Sequence, residues 1–67
     1  MYAISVKGSH GETLYFESGS PPKSGFNTVK NLDRAKKWST KDRALRVFDA
    51  LLEWGIKPTL HWLEKNP

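Results

Sequence analysis

The sequence predicts an α+β fold: a small antiparallel sheet of three or four strands in ββ(β)αβ order, with one helix packed on one face. Three observations carry that prediction. The first third of the chain alternates apolar and polar residues with a period of two. A central stretch then switches to the helical period. After Pro58 an alternating segment returns.

Tyr2, Ile4 and Val6 alternate with Ala3, Ser5 and Lys7, and Leu14 and Phe16 alternate with Thr13, Tyr15 and Glu17. Both runs have the pattern of half-buried strands. Gly8-Ser9-His10-Gly11 lies between them and makes them an antiparallel hairpin. These four residues spell G-x-x-G, but between two strands rather than two helices, so they read as a turn. Residues 18–25, rich in Gly, Ser and Pro, read as a flexible loop and an adaptable contact surface. Phe26 to Val29 reads as a short extended piece and Asn31 to Ala35 as a turn. Lys36 to Ser39 leads into the helix as a short third strand with Trp38 inward.

Trp38 to Pro58 contains a complete helix with its start and stop. Ser39 and Thr40 are good N-caps, because a hydroxyl accepts a hydrogen bond from a first-turn amide. Ser39 with Asp42 has capping-box spacing, and Asp42 places negative charge where the helix dipole favours it. Ala44, Leu45, Val47, Phe48, Leu51 and Leu52 form one apolar stripe, with Arg43, Arg46, Asp49 and Glu53 opposite. Gly55 suits the left-handed position after the helix, with Ile56 folding back on Leu51, and Pro58 ends helical backbone. Thr59 to Glu64 reads as the final strand, with Leu60 and Trp62 on one face and His61 and Leu63 on the other. The helix is expected to cover Ile4, Val6, Leu14, Phe16 and Trp62. The open face is expected to carry Ser5, Lys7, Thr13, Tyr15, Glu17 and His61.

Length bounds the rest. A chain of 67 residues is a single domain, residues 1–67, with one small core. Its three Trp, three Phe and two Tyr supply much of the apolar area that core needs. Oligomerisation is another route to buried surface at this size, so a homodimer enters the reading. There are no cysteines, which suits a cytoplasmic setting, that of a host cell if the chain is phage-encoded. Met1 to Val6 lacks the basic start and apolar run of a signal peptide, and no stretch approaches membrane-spanning length.

The net charge of +4 is uneven. Residues 33–46 hold Arg34, Lys36, Lys37, Lys41, Arg43 and Arg46 against Asp33 and Asp42, whereas the segments on either side nearly balance. Cations focused at the helix entry form a surface for an anionic partner or an acidic protein patch. These six residues are the primary partner-binding candidates. Lys7, Tyr15 and His61 on the open face, able to stack and pair with a nucleobase, and Trp54 at the border of the apolar stripe are secondary ones.

Catalytic machinery is not apparent. The two histidines have no cysteine partners and no zinc-ligand spacing, and no nucleophile elbow or phosphate loop occurs. The reading is therefore a non-enzyme without metal or cofactor.

The stretch Ala35-Lys36-Lys37-Trp38-Ser39-Thr40-Lys41-Asp42-Arg43-Ala44 resembles a pattern of small phage and prophage proteins: a hairpin, then "AKxF-x-T-xx-EA", then a helix. Several of these are anti-CRISPR and other anti-defence inhibitors that bind host machinery. The stretch also resembles the AP2 and integrase arm-type DNA-binding domains, in which a three-stranded sheet enters the major groove. Those sheets carry Arg and Trp on the DNA-facing strands. Here the first two strands carry only Lys7, with Glu12 and Glu17 nearby, and a strand follows the helix. The phage resemblance implies a binding protein that docks on a host protein or nucleoprotein complex and inhibits or modulates it, competing for a surface meant for nucleic acid. The alternative is a DNA- or RNA-binding module using residues 34–46.

Overall fold

The computed structural model describes residues 1–19 and 25–63. Four strands and one helix follow in the order β1 (Tyr2–Lys7), β2 (Thr13–Gly19), β3 (Phe26–Val29), α1 (Lys41–Glu53) and β4 (Thr59–Trp62). The fold is α+β, with an antiparallel sheet in the order β3-β2-β1-β4. The expected loop at 18–25 begins later than its composition suggests, because Ser18 and Gly19 still pair with β3. Residues 20–24 and Glu64 lie outside the described residues.

The hairpin register pairs Ser5 with Tyr15 and Lys7 with Thr13, so the alternating residues sort onto two faces as the period requires. Beyond Ser5 the strands part. The Phe16 carbonyl accepts instead from the Lys36 amide at 2.9 Å, and Tyr2 exchanges backbone bonds of 2.8 and 2.9 Å with Trp38. The segment before the helix therefore wedges between β1 and β2. Trp38 makes an isolated bridge rather than the full strand expected over 36–39, and the third strand is Phe26–Val29.

β2 and β3 carry a bulge. Phe16 opposes Thr28, but Ser18 opposes Asn27, which leaves Glu17 as the surplus residue. Phe26 is two residues from Thr28, which opposes Phe16, so it shares the face of Phe16, and their rings stack with centroids 5.7 Å apart. Trp38 lies 5.7 Å from Phe16, and Trp54 lies 6.0 Å from Phe26. Four aromatic rings thus run along β2 and β3, where α1, packed on β1 and β4, reaches less.

α1 starts at Lys41. Thr40, not Ser39, is the N-cap, and its side chain makes no capping bond, so the expected capping box does not form. The far end closes as its residues require. Gly55 has φ 82°, its amide donates to the Leu52 carbonyl at 2.9 Å, and Ile56 donates to the Leu51 carbonyl at 3.1 Å. This is a Schellman closure. Ala44 and Leu51 are fully buried and pack with Ile4, Val6, Phe16 and Trp38 as the core.

One expected core residue is not in it. Trp62 is 65% exposed. It shares the helix-side face with Tyr2 and Ile4 through the β1–β4 register, but it stands near the end of an edge strand. Its ring rests against Tyr2, with centroids 4.9 Å apart, and not under the helix.

Candidate interaction surfaces

The helix organises one surface. Successive helical residues turn by about 100°. Ala44 and Leu51 mark the direction of the sheet. Val47 and Trp54 lie on one flank of that direction, toward β2 and β3, where Val47 meets Phe16 and Trp38 around a cleft and Trp54 meets Phe26. Leu45, Phe48 and Leu52 fall on the opposite flank, toward β4.

The cleft on the first flank has a volume of about 280 Å³. Phe16, Trp38 and Val47 give it an apolar floor, and Glu17 and Lys36 bring charge to its rim. It opens where the Glu17 bulge bends β2 away from the Lys36–Trp38 segment.

The six basic candidates are not equivalent. Lys36 is exposed at the cleft. Arg43 is exposed one turn before Val47, on the same flank, and Arg46 is exposed on the outer surface of the helix. Arg34 is exposed at the end of a short 3-10 turn, Leu32–Arg34. Lys41 stands in the first turn of α1, in line with Leu45 and so on the β4 flank. Lys37 is turned inward on its own segment. Its Nζ donates to the carbonyls of Leu32 at 2.9 Å, Asp33 at 3.2 Å and Ala35 at 3.3 Å. That ammonium serves the local fold, because it ties together three carbonyls in and just after the 3-10 turn, of which Leu32 also accepts from the Ala35 amide. Lys36 thus lines the cleft, Arg43 shares the helix flank that borders it, Arg46 stands a turn away, and Lys37 has another task.

The open face of the sheet brings Tyr15 and His61 together, with ring centroids 5.9 Å apart. Between them lies Ser5 on β1, whose Oγ is 2.7 Å from His61 Nε2. Ser5 is only 5% exposed, because β1 is the inner strand that β2 and β4 flank. A serine on an imidazole is the start of a nucleophilic pair. Here the hydroxyl is sealed in the sheet, and no carboxylate is recorded on the other ring nitrogen among the described residues. The arrangement works as a polar clasp between β1 and β4. Lys7 reaches Thr13 Oγ1 at 3.4 Å, further along the hairpin. Trp54 is 40% exposed and covers Phe26 beside the cleft side of the helix.

Two features had no sequence signal. The bulge shows only as an offset between the pairs Tyr15–Val29 and Gly19–Phe26, which depends on both strands at once. The Ser5–His61 bond joins residues 56 positions apart.

No group of three or more metal-ligating side chains occurs among the described residues, and no described helix is long and apolar enough to cross a membrane. No protein-family model, curated protein or solved structure matches the chain.

Proposed function

We propose that this chain is a non-enzymatic binding protein of the phage type, which docks on a host protein or nucleoprotein complex and inhibits or modulates it in the manner of anti-CRISPR and anti-defence proteins. The observation that supports this reading is the cleft beside α1. Exposed Lys36 lines an apolar floor of Phe16, Trp38 and Val47, and exposed Arg43 stands on the same flank of α1 one turn before Val47. An apolar cleft with Lys36 at its rim and Arg43 on the same helix flank suits an acidic protein segment that carries an aromatic or aliphatic anchor. It also suits a protein surface from which nucleic acid is displaced. Such charge complementarity speeds encounter and sets specificity more than it adds affinity.

The test is capture of the tagged protein's partner from a host-cell lysate, with half of the sample treated with nuclease. A defined complex that survives nuclease supports docking on protein. Its affinity is then measured for the triple variant Lys36→Glu, Arg43→Glu, Arg46→Glu, which spares Lys37. The expected result is a loss of roughly tenfold or more, with the thermal midpoint unchanged. Equal affinity of variant and parent would overturn the assignment of the basic flank. Captured material that vanishes with nuclease would mean direct nucleic-acid binding. The affinity would then fall steeply with salt, because each phosphate contact releases counterions.

A further inference from the structure

The opposite flank of the helix, with the outer edge of β4, carries an inference independent of the basic cleft. β4 is an outer strand, and the pairing shows which of its backbone groups have no partner among the described residues. The Leu63 amide donates to the Met1 carbonyl at 2.7 Å, so Leu63 turns its backbone toward β1. Tyr2 spends its own amide and carbonyl on Trp38, on the other side of β1. Its β4 partner Trp62 therefore belongs to a pair without hydrogen bonds. By the same alternation, His61 faces β1, whereas Leu60 and Trp62 aim their amides and carbonyls outward. The two edges of the sheet are not alike. β3 pairs irregularly with β2 across the Glu17 bulge, whereas β4 pairs with β1 in unbroken register. Thr59–Trp62 carries neither lysine nor acid nor proline. Beside that edge stand Trp62 at 65% exposure and Leu52 at 48%, with Leu45, Phe48 and Leu60 half-buried behind them.

We propose that this surface is a homodimer interface, in which β4 pairs antiparallel with β4 of a second copy about a two-fold axis through His61. Geometry selects both the partner and the register. Opposed residues in an antiparallel pair must lie on the same face, so the axis passes through a residue rather than between two. Centred on His61, the pairing sets Leu60 opposite Trp62 of the second copy, and both present outward donors and acceptors. Centred on Leu60, it would set Trp62 opposite Pro58, which has no amide to donate. The axis is perpendicular to the sheet and keeps both helices on one face. α1 packs on β1 and β4. With strands about 4.8 Å apart, the two helix axes would lie roughly 10 Å apart. Packed helices stand about 8–10 Å apart, so Leu45, Phe48 and Leu52 of each copy fill the seam.

Charge points the same way. Lys41, in the first turn of α1, stands on this flank, but Lys36, Arg43 and Arg46 lie away from it, so the seam is not where the net positive charge of each copy concentrates. The dimer would display the two basic clefts at its outer ends. The exposed apolar area is modest beside the ~800 Å² per partner of a standard interface. The expected association is therefore micromolar.

Sedimentation equilibrium on the full chain, up to roughly 0.5 mM, reads this association directly. The expected result is a reversible monomer–dimer equilibrium, weakened roughly tenfold or more by Leu52→Lys and by Trp62→Lys. Leu52 is an exposed helix residue, so its variant retains the fold, which far-UV circular dichroism checks. Register is tested by His61→Cys in a chain with no other cysteine. Opposed residues in a pair without hydrogen bonds have Cα atoms about 4.5 Å apart, within disulfide reach. Mild oxidation should give a covalent dimer in this variant, and not in Thr59→Cys. A monomer throughout the concentration range would overturn the proposal. So would a dimer indifferent to both lysine substitutions, or cross-linking equal at both positions.

Discussion

Gly19 and Gly55 both hold positive φ, 131° and 82°, yet a methyl group would meet different surroundings. At Gly55 a Cβ would project into open space, so Gly55→Ala adds only left-handed strain, about 1–2 kcal/mol. At Gly19 it would run into the Phe26 backbone and the Gly25 carbonyl, so the β2–β3 pair must also shift. Urea unfolding should rank Gly19→Ala as the more destabilising, and the reverse order would argue against the described bulge geometry. Ser5 offers a second test at this scale. Ser5→Ala removes the hydroxyl that His61 Nε2 meets and should cost about 1 kcal/mol, with little change in the spectrum of the folded state. A fully neutral substitution would mean that water serves the imidazole equally well. Lys37 shows the limit of reading charge as a binding signal. It belongs to a basic run, but carbonyls of its own segment hold its ammonium.

At the scale of elements, α1 is fixed from two directions. The Schellman closure ends it from within, and the burial of Ala44 and Leu51 against β1 and β4 holds it from without. Leu51 combines both roles, since its carbonyl accepts the closing bond and its side chain is fully buried. Leu51→Ala should cost about 2–5 kcal/mol, much of the stability a small domain has. Thermal unfolding would read this as a large drop in midpoint, and a drop of only a few degrees would mean that the core collapses around the gap. The capping box fails at the other end because the helix begins one residue later than the Ser39–Asp42 spacing assumes. Thr40 supplies the extended backbone of the cap without its side-chain bond. Start signals that overlap by one residue are resolved by where the preceding segment is anchored. Here Trp38, bound to Tyr2, sets that anchor.

Across the whole molecule, the helix divides two chemistries. Cations and an aromatic-floored cleft occupy one flank, and an uncharged edge strand with exposed Trp62 occupies the other. Binding through the first flank should weaken as salt rises, because the charges there are exposed and screened over about 10 Å at moderate ionic strength. Self-association through the second should hold or strengthen in salt, since apolar burial and backbone pairing carry it. Measuring both against sodium chloride concentration separates the two surfaces in one titration series. Parallel salt dependence would mean that a single surface serves both.

The sequence by itself determined the elements that depend on neighbours in the chain. The two-residue period sorted Tyr2, Ile4 and Val6 from Ala3, Ser5 and Lys7, and Gly55 and Ile56 closed the helix through bonds spanning a few residues. It also located the positive charge, and it placed Tyr15 and His61 on one face. Three features were decided by tertiary structure. The Lys36–Trp38 wedge between β1 and β2 is one, and it made Phe26–Val29 the third strand. The Glu17 bulge that opens the cleft is another. The third is the position of β4 at the sheet edge, which left Trp62 exposed when its spacing marked it for the core. Periodicity states which face a side chain takes, but not how far the covering helix extends. That depends on strand order, and strand order is set by contacts between residues far apart in the chain.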